Sequence, residues 1–151
     1  MAGARDMMRN AVEISLASLA LKQLNSPVLE DTLRQRIDFA IIRTIHAAGL
    51  LHPRPPGGQE RLGALFGKAR DRKYAEELAV KLLPKDLQPV LTTLLSPDLA
   101  AVEEKLISYI NQPQRDVDEW LAHIIGGARW STDWIKSLAL HFTRLRELEE
   151  A

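Results

Sequence analysis

The sequence predicts an all-α protein built from repeated helix pairs. Helix-length apolar patterns recur from Gln59 onward at intervals of about thirty residues, which is typical of a helical repeat. Proline, glycine or a helix-capping residue closes each pattern, and the sequence lacks alternating runs of strand length. Hydrophobic residues fill 46% of the 151 positions, which is enough for one continuous core. We therefore expect one domain spanning residues 1–151.

Two longer helices are predicted in residues 1–52. The first runs from near Ala4 to Leu24, and Asn25-Ser26-Pro27 ends it, with Ser26 as the next N-cap and Pro27 at the first helical position. The second helix carries an apolar stripe formed by Leu29, Leu33, Ile37, Ile41, Ile45 and Ala48. The prolines and glycines of 53–58 cannot continue a helix, so they separate this pair from the shorter helices after it.

Residues 59–148 contain shorter helical patterns that form three pairs. The patterns lie at 59–67, 72–83, 86–95, 98–111, 116–126 and 132–148. Asp86, Ser96-Pro97 and Ser131-Thr132-Asp133 are predicted to start helices, and Gly126-Gly127 marks a break.

The second helix of each pair carries an apolar stripe. In the last pair the stripe is Ile135, Leu138, Phe142 and Leu145. A pair of short helices cannot cover its own apolar surface, so adjacent pairs are expected to stack. The pattern therefore favours an α-solenoid with the two longer helices at its N-terminal end.

Three segments resemble bacterial HEAT-repeat domains, namely Leu50–Pro53, Tyr74–Leu91 and Asp133–Leu140. Their order and approximate spacing agree with those domains between Thr32 and Leu145. The resemblance implies a HEAT-like, armadillo-type solenoid of about three short helix pairs. Many such domains are the soluble part of a larger chain that also carries a major-facilitator or nucleotide-translocase-like membrane domain. The resemblance implies a protein-interaction or regulatory module, and it transfers no catalytic or ligand residue.

The residue types give no support to catalysis. The chain has no cysteine, and its four histidines, at positions 46, 52, 123 and 141, form no metal-binding motif. Neighbouring carboxylates such as Glu103 and Glu104 diverge by about 100° on a helix, so they do not form an acid–base pair. Gly57-Gly58 and Gly126-Gly127 lack the context of a phosphate-binding loop. We predict a non-enzyme without metal or cofactor.

The N-terminal apolar stretch does not have the pattern of a signal peptide or a membrane span. Glu13, Ser15, Ser18 and Lys22 interrupt it between Val12 and Leu24. We therefore expect a cytoplasmic protein, associated with the cytoplasmic face of a membrane only through a larger chain or a partner.

The densest positive run is the candidate contact for another protein with an acidic surface. The predicted contact residues are Arg61, Lys68, Arg70, Arg72 and Lys73. Trp130 lies just before a predicted helix start and is expected to be partly exposed, so it is added as an apolar anchor. Trp134 belongs to the HEAT-like segment and is expected to be packed.

The residues raise two further kinds of association. A nucleic-acid-binding HEAT-like protein, including a DNA-glycosylase-like enzyme, is the alternative function. It is disfavoured because the net charge is zero, and because 13 acidic and 8 basic residues follow Ala75, where the tryptophans lie. Self-association through the first helix requires an exposed stripe formed by Val12, Leu16, Leu19 and Ala20.

Overall fold

The computed structural model describes residues 2–51 and 83–150, and within these ranges the chain is helical and contains no β-strand. Its α-helices are α1 (Ala2–Leu21), α2 (Pro27–Leu51), α3 (Gln88–Leu94), α4 (Glu103–Ile110), α5 (Val117–Ile125) and α6 (Asp133–Glu150). Turns of 3₁₀ helix follow α1 at Lys22–Leu24 and precede α4 at Leu99–Val102. The all-α prediction is confirmed for these ranges. The predicted break at 53–58, the helix at 59–67 and most of the helix at 72–83 lie outside them.

The junction between α1 and α2 forms as its residues predict. Asn25 adopts the left-handed conformation with φ of 52°, which asparagine tolerates better than most residues. The Ser26 hydroxyl accepts a hydrogen bond from the Leu29 amide at 3.2 Å, and Pro27 is the first residue of α2. The sequence therefore defines both the end of one helix and the start of the next.

The helices near the C-terminus also begin and end at local signals. The Asp116 carboxylate accepts from the Glu119 amide at 2.8 Å, and the Glu119 carboxylate accepts from the Asp116 amide at 3.4 Å, which makes a capping box for α5. α5 ends before the predicted glycine break, where Gly127 has a φ of 104° that favours glycine. The Thr132 hydroxyl caps α6 by accepting from the Ile135 amide at 3.2 Å.

The prediction that Asp86 caps a helix is wrong. Leu87 occupies the N-cap position of α3 without a side-chain cap, and the backbone carbonyl of Pro84 accepts from the amides of Leu87 and Gln88. The Asp86 carboxylate instead pairs with Arg5 of α1. The pattern predicted as one helix at 98–111 is also divided, since its first turn is the 3₁₀ turn before α4.

Helix α1 lies at the centre of the described fold. It packs most extensively against α2, and it also contacts α3, α4 and α5. α6 packs mainly on α5 and touches α2. α1 thus contacts helices from both described ranges, while the separate contact of α6 with α2 brings those two helices together.

The core contains most of the predicted stripes. The α2 stripe is buried at Leu29, Leu33, Ile37 and Ile41. In α6, Ile135 is buried and Leu138 and Phe142 pack against the core, but Leu145 is exposed, which corrects the predicted stripe.

The stripe considered for self-association is used inside the fold. Val12 and Leu16 are buried, and Leu19 and Ala20 pack partly buried against the core. Because α1 contacts four other described helices, the stripe that self-association requires is packed within the described fold. Within the described ranges, no helix combines the length and apolarity that crossing a bilayer requires.

Candidate functional site

The residues predicted to contact a partner are only partly within the described structure. Arg61, Lys68, Arg70, Arg72 and Lys73 lie outside the described residues, so their assignment stays a prediction. Trp130 is described, and the expectation that it is partly exposed is wrong, since it is only 2% exposed. Trp134, which was expected to be packed, is 57% exposed.

Polar contacts and ring packing explain the burial of Trp130. Its Nε1–H donates to Oε1 of Glu13 at 3.4 Å, and its backbone carbonyl accepts from Nε–H of Arg36 at 2.8 Å. Its ring centroid lies 6.4 Å from that of Trp120. Trp130 therefore connects α1, α2 and α5, and it cannot serve as an exposed anchor.

A different surface is formed on the outer face of α2. Val28, Thr32, Arg36, Phe39 and Arg43 lie within roughly 80° of arc at 100° per residue, away from the buried stripe of this helix. Val28 is 54% exposed and Phe39 is 44% exposed. This face therefore presents two apolar side chains together with two arginines.

Helix α6 and the loop before it complete the surface. Nε1–H of Trp134 donates to Oγ1 of Thr32 at 3.3 Å, which places the exposed indole beside α2. Arg129 lies in the loop between α5 and α6. It lines the same cavity as Arg36 and Arg43 of α2. We call this set the α2–α6 surface; its members are Val28, Thr32, Arg36, Phe39, Arg43, Arg129 and Trp134.

A cavity of about 140 Å³ lies at one end of this surface, and we call it the arginine cavity. It is lined by Met7, Asn10, Ile14, Arg36, Phe39, Ala40, Arg43, Arg129 and Trp130. Three of these side chains are guanidinium groups, and none is a carboxylate. The cavity can therefore offer several charged hydrogen-bond donors to one small anionic group.

No carboxylate of the described residues balances the charge of these arginines. Arg36, Arg43 and Arg129 form no ion pair with any of the described residues. By contrast, Arg5 pairs with Asp86. Burial, and to a lesser degree the positive charge of Arg43, lowers the pKa of Arg36 below its ordinary value. In the cavity the positive charge of Arg43 therefore disfavours the charged form of Arg36.

Phe39 fixes the position of two of the guanidinium groups. The Cζ atom of Arg36 lies 4.9 Å from the centroid of the Phe39 ring, and that of Arg43 lies 5.5 Å from it. Both distances are within the range of a cation–π interaction. The aromatic ring therefore helps to hold both cations in the lining of the cavity.

A second polar cluster, centred on Glu13 of α1, contacts Trp130 of the cavity lining. Glu13 Oε1 lies 2.9 Å from His123 Nε2 and 4.0 Å from a terminal nitrogen of Arg115, and it also accepts from Trp130. The Glu13 side chain is only 17% exposed. Because one carboxylate holds groups from α5 and from both of its flanking loops, we interpret this cluster as structural.

Gln114 extends the same cluster to the backbone of α1. Its amide nitrogen donates to the carbonyl of Leu16 at 2.9 Å, and its amide oxygen accepts from Nε1–H of Trp120 at 2.9 Å. The Arg115 guanidinium lies 4.8 Å from the Trp120 ring. Within residues 2–51 and 83–150, no three His, Cys, Asp or Glu side chains are grouped so as to hold a metal ion.

Sequence reasoning missed the residues that form the α2–α6 surface. The signal was available in α2, because Phe39 lies off the apolar stripe and between Arg36 and Arg43. No sequence signal placed Arg129 beside them, since it follows Arg43 by 86 positions.

Comparison of the chain with protein families, with curated proteins and with solved structures finds no match.

Proposed function

We propose that this protein is a non-catalytic helical binding module, and that its α2–α6 surface recognises an acidic segment of another protein. The observation that carries this proposal is the arginine cavity, where three guanidinium groups, none of them paired with a carboxylate of the described residues, adjoin exposed aromatic residues. A carboxylate from a partner would supply the missing counter-charge.

The composition of the surface fits a protein partner. Tryptophan and arginine are enriched among the residues that contribute most to protein–protein binding. Trp134 and Phe39 offer apolar area, while Arg43 and Arg129 offer charged donors. The segment that matches this surface carries acidic residues next to at least one apolar side chain.

A nucleic-acid partner fits these observations less well. Single-stranded nucleic acid is usually bound in a long positive groove, and affinity depends on contacts to several phosphates. Here the three arginines of the surface line a small cavity rather than a long groove, and the whole chain has no net charge. Binding of nucleic acid is therefore treated as an outcome that would reject the proposal.

The HEAT-like assignment is a separate part of the proposal and rests mainly on the sequence resemblance. On this basis we propose a HEAT-like solenoid that acts as a regulatory or adaptor segment, cytoplasmic or at the cytoplasmic face of a membrane. The α5–α6 pair, which packs together after a short connection, suits such a repeat. The contacts of α1 with α3, α4 and α5 are more typical of a bundle.

Peptide selection tests the proposal even though the partner is unidentified. A displayed library of random peptides is selected on the immobilised protein, and the enriched peptides are titrated against variants. The Arg43→Gln/Arg129→Gln variant removes two cavity charges, and Trp134→Ala removes the exposed indole. Arg34→Gln is the matched control, because Arg34 is exposed on the same helix but does not line the arginine cavity.

We expect enriched peptides that contain Asp or Glu near an apolar residue. Their affinity should fall about tenfold or more in the double arginine variant and should also fall in Trp134→Ala, with Arg34→Gln unchanged. Failure to enrich peptides, or equal affinity for all variants, would reject the proposal. Tighter binding of single-stranded DNA or RNA than of any peptide, lost in the double variant, would assign the surface to nucleic acid.

A further inference from the structure

The arginine cavity has more positive charge than a single carboxylate needs. A carboxylate carries one charge and two oxygens, and one guanidinium can satisfy it through two parallel hydrogen bonds. The cavity has three guanidinium groups and the amide of Asn10 in its lining. We propose that its ligand is a phosphate monoester, presented as a phosphorylated side chain of the partner. This inference rests on the proposed function of the α2–α6 surface.

The number and type of donors fit a phosphate. A phosphorylated side chain carries about −1.5 to −2 charge at pH 7 and three strong acceptor oxygens. Arg43 and Arg129 have no ion pair among the described residues, and Arg36 uses its Nε–H on the Trp130 carbonyl while its side chain belongs to the cavity lining. Three arginines can thus approach one dianion.

The size of the cavity restricts what can enter. Its volume of about 140 Å³ is below the range of about 300 to 1,000 Å³ that is usual for pockets that enclose a small organic ligand. A phosphate group on a short side chain is small enough, whereas a whole nucleotide would leave its base and sugar outside. The bulk of the ligand must therefore lie on the adjoining surface, where a partner peptide would run.

The free protein is already arranged for such a group. The guanidinium groups of Arg36 and Arg43 both contact the Phe39 ring, although the charge of Arg43 opposes that of Arg36. Part of the cost of bringing two cations together is therefore met in folding rather than in binding. A dianion in the cavity offsets this repulsion, and the gain is larger than the gain from a singly charged carboxylate.

The test uses two small probes that differ in the anionic group. N-acetyl-O-phosphoserine amide and N-acetyl-glutamate amide are titrated into the ¹⁵N-labelled protein, and the Nε–H signals of the arginines are followed by NMR. These signals report both probes in the same way. Inorganic phosphate is titrated in parallel as a free-phosphate control.

We expect the phosphoserine probe to shift the signals of Arg36, Arg43 and Arg129. It should saturate at a concentration at least about tenfold below that of the glutamate probe. Binding should be lost in Arg43→Gln and in Arg129→Gln, and it should be retained in Arg34→Gln. The thermal midpoints of these variants are measured first to show that all are folded.

Several results would overturn the inference. Equal affinity for the two probes would make the cavity a carboxylate site, and binding that persists in both Arg43→Gln and Arg129→Gln would place the phosphate elsewhere. Absence of any shift would show that the cavity takes neither probe. Inorganic phosphate bound as tightly as the phosphoserine probe would make free phosphate the ligand.

The proposed function and the phosphate inference can be rejected independently of each other, because the probe titration needs no peptide from the selection. Peptides that bind through Arg43 and Arg129, together with a cavity that ignores the phosphoserine probe, would leave the proposed function standing and remove this inference. Phosphoserine bound in the cavity without any peptide enriched would remove the proposed preference for acidic segments. In that case the phosphate site would remain.

Discussion

The Nε–H of Arg36 donates a hydrogen bond to the backbone carbonyl of Trp130 at 2.8 Å. This bond joins α2 to the loop that precedes α6, and it sets Arg36 at the wall of the arginine cavity. Arg36 therefore has a structural role that Arg43, its neighbour across Phe39, does not share.

The first prediction separates these two arginines by stability. Arg36→Gln should lower the free energy of unfolding by about 1 to 2 kcal/mol, because the Trp130 carbonyl loses its donor. Arg43→Gln should change it by no more than about 0.5 kcal/mol, since Arg43 is exposed and repels Arg36. Urea unfolding of both variants measures the difference. Equal losses would show that Arg43 also holds the fold together.

The second prediction concerns the two tryptophans whose exposures were expected to be the reverse. Trp130→Ala should destabilise the protein by about 3 to 5 kcal/mol, because a large buried side chain is removed from the core. Trp134→Ala should cost less than about 1 kcal/mol, because most of its surface is in solvent. The midpoints of urea unfolding measure both effects. A larger loss of stability for Trp134→Ala than for Trp130→Ala would contradict the observed burial.

The third prediction tests whether the Glu13 cluster is structural. Glu13→Ala should lower stability by about 1.5 to 3 kcal/mol, because the carboxylate accepts from His123 and Trp130 in a mostly buried position. Glu147→Ala is the control, since Glu147 is exposed in α6 and its loss should be close to neutral. Thermal unfolding followed by circular dichroism compares them, and matched midpoints would show that the cluster does not hold α1 to α5.

The fourth prediction is a dependence of stability on pH. Arg146 donates to both carboxylate oxygens of Asp118, at 2.6 and 3.3 Å, and this hydrogen bonding holds the pKa of Asp118 below its ordinary value. Because the pKa of Asp118 is lower in the folded protein than in the unfolded chain, the pair stabilises the fold at pH values above the ordinary aspartate pKa of 3.8. This stabilisation is lost as the pH falls through the lower pKa of the folded protein. The contribution is small because the pair is at the surface.

Asp118→Asn removes this titration. The thermal midpoint of the variant should therefore fall less steeply than that of the unchanged protein as the pH is lowered from about 4. The Asp86 carboxylate, whose pKa is lowered by its hydrogen bond to Arg5, should act in the same direction, and Asp86→Asn provides the parallel case. An acid dependence that is the same in all three proteins would mean that neither pair contributes.

The fifth prediction returns to the basic residues that lie outside the described structure. Arg70→Glu/Arg72→Glu should abolish partner capture and leave the helical content unchanged, if these residues contact the partner. The same selected peptides are used with this variant and with Arg43→Gln/Arg129→Gln. Loss only in the second variant would remove Arg70 and Arg72 from the binding site and leave the α2–α6 surface as the contact.

Local chemistry made the boundaries of several helices predictable. Ser26 and Pro27 start α2, and Gly126-Gly127 lies at the end of α5, because capping and positive φ depend on residues adjacent in the chain. The same kind of reasoning failed at Asp86. A carboxylate next to a helix start can cap it or pair with a distant cation, and Arg5 was within reach only after α1 and α3 had packed together.

The candidate site was much less predictable than the helices. Phe39 is visible as an aromatic residue outside the apolar stripe of α2, but the surface also needs Arg129 and Trp134, which are distant in sequence. The reversal of Trp130 and Trp134 has the same origin. Both are large amphipathic side chains, and burial of one or the other depends on whether Glu13 and Trp120 are placed to receive it.

The sequence by itself determined the helical class of the described residues, the positions of most helix ends and the buried stripe of α2. These features follow from periodicity and from hydrogen-bonding groups within a few residues of one another. Tertiary structure alone decided which tryptophan is buried and which of the described arginines pair with a carboxylate. Burial and charge balance depend on groups that packing brings together from distant parts of the chain, so no local pattern specifies them.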